Sequence, residues 1–465
     1  MLREFADVAR AIAATTSKNE KERLLGEYLT KLDDDSLARA AVFFCGAPFP
    51  RRDQRVTGVG WSTIADAVAE ASGRSREDLW EIYPRYADLG DAIADVFRAD
   101  PQQTISLSEL GEFFERLAAT PGSMEKTELL RKVFTRVDSQ GARFIVKILL
   151  GEFRIGLQEG LVESAIAKAF GRRVAAVRRA NMLTGDIGAA ALLARGDALE
   201  SARMSLFQPF AFMLAQPEED PALIVKTLGS NSLADDKYDG IRAQIHTDGT
   251  EVRIYSRTLD DVTHRFPEIE PAARNFGRAV ILDGELVAFD RRVLPFAVIQ
   301  KRLGRSKVGE ALLRQAPVAF FAFDLLFEDG NVLFELPLEQ RLARLRSLIG
   351  ADGTIRLADQ NAVCGTDDVD RLFDAARTRG NEGLVIKDPR SVYTPGRRGK
   401  SWLKYKKALA TLDCVVTAAE YGHGKRRGVL SDYTFAVRRG DELVNIGKAF
   451  TGLTDAEIEQ MTAHF

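Results

Sequence analysis

Asp235-Asp236-Lys237-Tyr238-Asp239-Gly240-Ile241-Arg242 is the segment on which the reading of this chain turns. It sets a lysine beside three carboxylates at the start of a strand, next to a glycine that permits close backbone approach. A lone lysine is usually surface charge, and a pattern of the form KxDGxR also arises by chance, so its surroundings decide. Arg242-Ala-Gln-Ile-His-Thr247 and Glu251-Val-Arg-Ile-Tyr-Ser256 flank Asp248-Gly249, which predicts two strands joined by a tight turn. Ala279–Leu282, Glu285–Phe289 and Val318–Phe323 add strands, while Leu338–Leu348 and Asp368–Arg379 add helices. Residues 206–408 are therefore expected to form an α+β domain with antiparallel sheets.

Further patterns follow the lysine in order. They are Tyr255-Ser256-Arg257 with Phe266-Pro267-Glu268, then Leu282-Asp283-Gly284-Glu285-Leu286 and Phe323-Asp324-Leu325-Leu326. Glu382-Gly383-Leu384-Val385-Ile386-Lys387 and Trp402-Leu403-Lys404-Tyr405-Lys406 complete the series. With the lysine segment they resemble motifs I, Ia, III, IIIa, IV and V of the covalent nucleotidyltransferases, the superfamily of DNA ligases, RNA ligases and mRNA capping enzymes. One motif is a possible accident; six in the right order are not.

The chemistry explains these residue types. A lysine attacks the α-phosphorus of ATP only as the neutral amine, and its free pKa is about 10.4. Nearby cations lower that value, and Lys404 and Lys406 are the expected sources, facing the triphosphate as well. Triphosphate charge needs a metal, and Mg2+ takes oxygen from one or two carboxylates; Glu382 is the first choice and Glu285 the second. Mn2+ would satisfy the same carboxylates.

The resemblance implies the remaining roles. Lys237 would carry AMP as a phosphoramidate, and Phe323 would stack on adenine. Asp235 stands where the family usually has a glutamate near the adenine amine, one methylene shorter. Arg242 and Arg257 would hold the ribose, the AMP phosphate or the 5'-phosphate of a nick, and Arg398 matches a further nucleotide-contacting arginine. Plainer accounts exist: Phe323 as mere core, Glu285 as an exposed strand residue, the arginines as surface charge. The run Lys387–Lys407 carries eight Lys or Arg against one acid, Asp388, and on charge alone is a solvated face. Two phosphate motifs fail: Thr394 replaces the first glycine of a Walker A loop ending Gly399-Lys400-Ser401, and Thr63 replaces the third glycine after Gly58-Val59-Gly60. The latter is better explained as a turn before a helix capped by Ser62.

Residues 1–205 read as an all-α domain. Ser106-Leu-Ser-Glu109 is a capping box ahead of Leu110, Phe113, Phe114 and Leu117, and amphipathic spacing recurs at Phe144, Ile145, Ile148, Leu149 and at Val162, Ile166, Phe170. Arg143–Leu157 followed by Ala165–Phe170 resembles the DNA-binding domain of archaeal and eukaryotic-type ATP-dependent DNA ligases, which grips duplex DNA around the nick without reading sequence. Arg172-Arg173 and Arg178-Arg179 suit such salt-dependent contacts. Phe207–Pro221, with three prolines, looks like an interdomain linker. Capping enzymes and typical RNA ligases lack the helical domain, and NAD-dependent DNA ligases carry a four-cysteine zinc finger that Cys45, Cys364 and Cys414 cannot make.

Residues 409–465 begin a small β-barrel with Cys414–Thr417, Tyr433–Val437 and Leu443–Ile446, then a helix over Asp455–His464. The resemblance implies an OB-type barrel, here partial, with motif VI expected beyond residue 465. On that reading self-adenylylation is expected to be impaired, and a nick-binding protein with weak or no self-adenylylation is the alternative, with RNA ligase as the second. The expectation as a whole is an ATP-dependent DNA ligase using ATP and Mg2+ on nicked duplex DNA, cytoplasmic and monomeric. No window approaches the roughly 18 apolar residues of a membrane span, and the formal net charge of -2 leaves local basic patches undecided.

Overall fold

The computed structural model describes residues 1–465 apart from 87, 98–104, 306–307, 351–352, 408–411, 423–425, 427 and 451. Met1–Asn181, Asp186–Ala202 and Leu409–Phe465 form one compact unit, and Met182–Gly185 with Arg203–Ala408 the other. None of the described helices is long and apolar enough to cross a membrane.

Among the described residues, every regular element up to Ser201 is helical. Local chemistry starts these helices: Ser17, Asp33, Ser106 and Asp138 each accept a backbone N–H from the first turn, and Ser106 with Glu109 closes the expected capping box. Their apolar faces meet in a core that includes Phe5, Phe43, Phe44, Phe113, Phe114 and Phe144. One start differs from expectation. The helix Trp61–Ser72 takes Gly60 as its N-cap, and no side chain caps it, so Ser62 lies inside the first turn. The expected DNA-facing pairs are also partly engaged within the fold: Arg172 pairs with Asp197 at 2.7 Å and Arg178 with Glu163 at 3.1 Å.

The second unit holds twelve of the described strands. They are β1 (Leu214–Pro217), β2 (Ser232–Lys237), β3 (Ile241–Thr247), β4 (Val252–Ser256), β5 (Val280–Asp290) and β6 (Arg292–Val293), then β7 (Val318–Glu328), β8 (Asn331–Val332), β9 (Ile355–Leu357), β10 (Gln360–Val363), β11 (Gly383–Lys387) and β12 (Arg398–Tyr405). One sheet runs β1-β12-β11-β2-β10; the other runs β4-β3-β5-β7-β8, with β6 beside β5 and β9 beside β7. Pairing is antiparallel except for β1 with β12 and β7 with β9. The second sheet packs Phe320, Leu325 and Leu326 against Leu338, Leu342 and Leu345 of the helix Leu338–Leu348. Ile224 and Leu228, with Leu372 and Phe373, cover the first sheet.

Two expectations change here. Phe207–Pro221 is not a free linker: Phe210 and Met213 are buried in the core, and β1 is laid parallel to β12. The strands expected at 279–282 and 285–289 are one continuous strand, β5; Gly284 sits at a register shift against β7, where a Cβ would lie 2.4 Å from the Phe320 ring.

Lys237 also sits at the end of a strand rather than at its start. β2 finishes there in one sheet, the chain crosses through Tyr238-Asp239-Gly240, and β3 opens in the other sheet. The crossing is tight enough to need glycine: a Cβ on Gly240 would lie 2.3 Å from the Leu286 carbonyl oxygen and 2.9 Å from Glu285 Cγ. Gly240→Ala is therefore expected to lower stability by about 1–3 kcal/mol through overpacking against backbone. A denaturant titration checks it, and an unchanged midpoint would contradict the close approach.

In the C-terminal segment β13 (Val415–Tyr421), β14 (Leu430–Arg439) and β15 (Glu442–Ala449) form an antiparallel meander. The helix Asp455–His464 packs on β14 through buried Ile458, and Thr462 accepts the Leu430 N–H at 2.8 Å. The three strands expected from sequence are all present; β14 and β15 are longer at both ends, while β13 starts one residue later than expected and runs on to Tyr421.

Candidate active site

All ten residues singled out from sequence line one cavity of about 550 Å³ in the second unit: Asp235, Lys237, Arg242, Arg257, Glu285, Phe323, Glu382, Arg398, Lys404 and Lys406. They come from both sheets, and the crossing at Lys237 is what brings the two sets together.

The lysine is held from β11. The Glu382 N–H donates to the Lys237 carbonyl at 2.8 Å, and Lys237 pairs with Gly383 in the β2–β11 ladder. Gly383 has to be small, because a Cβ there would lie 2.3 Å from the Tyr405 carbonyl oxygen. The Lys237 ammonium nitrogen stands 2.9 Å from Glu382 Oε2, and Lys406 Nζ meets the same oxygen. One carboxylate is thus shared by two lysines.

The Lys237 amine is shifted below the ordinary lysine range, mainly by burial. Glu285 and Asp239 act in the opposite sense, and Arg257 adds to the lowering. The sequence pointed to Lys404 and Lys406 as the source of the shift; burial is instead its leading cause. Lys404 and Lys406 are themselves lowered, first by burial and then by neighbouring cations, Arg398 for Lys404 and Lys237 for Lys406.

Arg242 is fixed by a two-pronged contact: Nε and Nη2 donate to the Asp283 carboxylate at 3.1 and 2.8 Å. Tyr393 donates its hydroxyl to the same carboxylate at 2.8 Å and accepts the Met213 N–H at 3.0 Å. The guanidinium lies 4.8 Å over Phe212 and 5.4 Å over Phe323. Burial works against its charge, and Asp283 more than offsets that, keeping Arg242 protonated. Glu285 faces Arg242 across the β3–β5 ladder, and burial pushes its carboxyl up to about 7 against the pull of Arg242, Lys237 and Arg257.

Phe323 is half-buried on β7 and exposes a face to the cavity, so it is not a wholly enclosed core residue. Behind it, Lys387 Nζ lies 4.4 Å over the Phe323 ring and 4.3 Å over Trp402. Lys387 is buried and paired with buried Asp235, whose other oxygen, Oδ1, has no hydrogen-bond partner. The basic run is therefore not a uniform solvated face. Its first lysine is interior, Arg398, Lys404 and Lys406 line the cavity, and Arg390, Arg397 and Lys400 are exposed. Gly399-Lys400-Ser401 lies in strand β12 rather than in a phosphate-cradling loop.

Sequence reasoning passed over Asp283, Tyr393, Lys387 and Trp402 as site residues. Asp283 was within reach, since it stands two residues from Glu285 on one strand and so on the same face. Tyr393 carries no local signal.

Among the described residues no cluster of three or more His, Cys, Asp or Glu could hold a metal. The cavity does offer two carboxylates, Glu285 and Glu382. An all-oxygen pair suits Mg2+, which commonly binds through one or two carboxylates and takes its other ligands from water and substrate phosphates.

The family model described as the ATP dependent DNA ligase domain matches residues 212–406, and that of the DNA ligase N terminus matches residues 1–167. A probable DNA ligase of Koribacter versatilis is 45% identical over 488 residues, covering 99% of this chain and 84% of that protein. A DNA ligase of Archaeoglobus fulgidus is 33% identical, covering 99% of this chain and 86% of its own length. Among solved structures, Pmar-Lig_PreS3 covers 99% of this chain and 90% of its own at a TM-score of 0.63 and 16% identity, a likeness of fold.

Proposed function

The chain belongs to the ATP-dependent DNA ligase family, and we propose that its cavity moves AMP from ATP through Lys237 to the 5'-phosphate of a nick in duplex DNA. The observation that carries this is the convergence of ten residues from two sheets around one desolvated amine. The Lys237 nitrogen bonds to the α-phosphorus as its bond to the bridging oxygen breaks and pyrophosphate leaves, the amine having shed its proton beforehand. A 5'-phosphate oxygen then displaces Lys237 from the phosphorus, giving a DNA-adenylate. The 3'-hydroxyl finally attacks the 5'-phosphorus, and AMP departs.

Each residue has a proposed part. Burial raises the neutral fraction of Lys237 above that of an ordinary lysine. Phe323 offers a ring face to adenine, and Asp235 Oδ1 is an unused acceptor for its exocyclic amine. Arg242, already oriented by Asp283, and Arg257 hold the sugar and phosphate side, while Arg398, Lys404 and Lys406 meet the triphosphate. Mg2+ would be held by Glu382 and Glu285. When bound it would neutralise phosphate charge. Residues 1–205 are proposed as the DNA-binding domain, 206–408 as the adenylation domain and 409–465 as part of an OB-type domain, with the chain acting as a monomer.

Glu285 provides a pH test. Its carboxyl near 7 is a folded-state value raised by burial, so below about pH 7 the group is mostly protonated and a poor metal ligand. Adding Mg2+ should pull its titration below 7, because the cation favours the ionised form. Carbon-13 NMR of labelled glutamate, with Glu285→Gln to assign the signal, reads this directly. A midpoint that Mg2+ leaves in place would remove Glu285 from the metal's ligands.

The function itself is tested with a nicked duplex labelled at the internal 5'-phosphate, incubated with ATP and Mg2+. Sealing appears as phosphatase-resistant label in the longer strand, dependent on ATP and absent from Lys237→Ala. A nick that is bound without being joined would leave only a nick-binding protein. Joining confined to junctions of ribonucleotides would make it an RNA ligase.

A further inference from the structure

A second cavity of about 720 Å³ lies in the same unit, and Tyr238 contributes to the walls of both. Its apolar side is aromatic: Tyr238 stacks on Phe321 with ring centres 4.5 Å apart, and Phe289 meets Phe321 edge-on at 5.3 Å. Four arginines line it, Arg291 and Arg292 from the β5–β6 hairpin, Arg356 from β9 and Arg379 after the helix Thr366–Thr378.

The arginines are not equivalent. Arg379 is committed to Asp236, with Nε and Nη2 at 2.7 and 2.6 Å from its two oxygens. Arg291, Arg292 and Arg356 have no carboxylate partner among the described residues. Arg356 lies 4.8 Å over the Phe289 ring, and its Nε is buried without an acceptor. Asn381, 1% exposed, spends its amide nitrogen on Asp236 and leaves Oδ1 without a donor. With Arg379 balanced by Asp236, the other three arginines face one lining carboxylate, Asp359, which leaves an excess of positive charge in this cavity. The hairpin that supplies two of them is held in a costly shape, since Arg291 adopts φ +59° without being glycine.

Nothing in the AMP-transfer chemistry uses these groups. We propose that this cavity binds a phosphate-bearing ligand, gripped by Arg291, Arg292 and Arg356. Guanidinium forks match phosphate oxygens in pairs, and the buried Arg356 nitrogen lacks such an acceptor. The phosphate comes either from a free polyphosphate or from a nucleic-acid strand, and two measurements on the full chain tell these apart.

In the first, inorganic pyrophosphate is titrated calorimetrically into wild type, Arg356→Met, Arg291→Ala/Arg292→Ala and, as a control for the Lys237 cavity, Arg398→Ala. A free-anion site predicts one equivalent fewer in the arginine variants of the second cavity, with that equivalent kept in Arg398→Ala. In the second, nicked-duplex binding is measured across salt concentrations. A strand phosphate predicts a log–log slope shallower by about 0.9 for each contact removed. Either result supports the site. Wild-type stoichiometry together with a wild-type salt slope in both variants would overturn it. The exposed hairpin pair decides the matter if Arg356→Met does not fold.

Discussion

Arginine in place of Lys237 is expected to slow AMP uptake from ATP by a factor on the order of 10⁴ or more, the scale seen when an attacking group is removed. The change preserves positive charge and most of the reach, and a partner for Glu382 remains. What it removes is the uncharged state: a guanidinium with a pKa above 12 does not lose its proton in a protein. Lysine at this position starts near 10.5, and burial lowers it, so its neutral fraction grows as pH rises. Wild-type AMP uptake should therefore climb with pH towards the lowered lysine value, while Lys237→Arg stays flat and near zero. Single-turnover labelling over a pH series checks both. Substantial uptake by Lys237→Arg would mean that the position supplies charge rather than a nucleophile.

The second large effect is structural. Asp324 follows Phe323 on β7, and both Asp324 and Arg341 are fully buried. Arg341 donates Nε to Asp324 Oδ1 at 2.7 Å and Nη2 to Oδ2 at 2.9 Å, while its Nη1 donates to the Ser391 carbonyl at 3.1 Å and to that of Leu336. Asp324→Ala strands a buried guanidinium and is expected to cost about 3–5 kcal/mol, read from the denaturant midpoint. Asp324→Leu with Arg341→Met removes both charges and should recover much of that loss. The same pair ties Phe323 to the segment carrying Ser391 and Tyr393, so the single variant should also weaken ATP binding. A single variant as stable as wild type would show that the pair is not a staple of this sheet.

How much of this was legible in the sequence depends on how local the cause is. The Ser106–Glu109 capping box and the Asp248-Gly249 turn with its two flanking strands are short-range, and these elements form where they were expected. β1 was hidden inside a proline-rich stretch because its strand partner among the described residues is β12, nearly two hundred residues away. Lys387 looked like part of a basic face. Its interior position follows from the register of β11 on β2, which sets Val385 opposite Asp235 and turns Lys387 inward.

The site shows the same division. Its residue types were readable from six short patterns, since those patterns carry the charges and rings that nucleotide chemistry needs. The source of the Lys237 shift was not readable, because burial is a property of the assembled walls and not of neighbours in sequence. The same holds for the Tyr393–Asp283–Arg242 chain, in which Tyr393 reaches its carboxylate across a long stretch of sequence.

The most direct test follows the AMP itself. The protein is incubated with ATP labelled at the α-phosphate and digested, the labelled peptide is sequenced by mass spectrometry, and a second portion is chased with nicked duplex. The account predicts acid-labile AMP on Lys237 and its passage to the DNA 5'-phosphate during the chase. Label on another side chain, or joined DNA formed without any adenylylated protein, would contradict it.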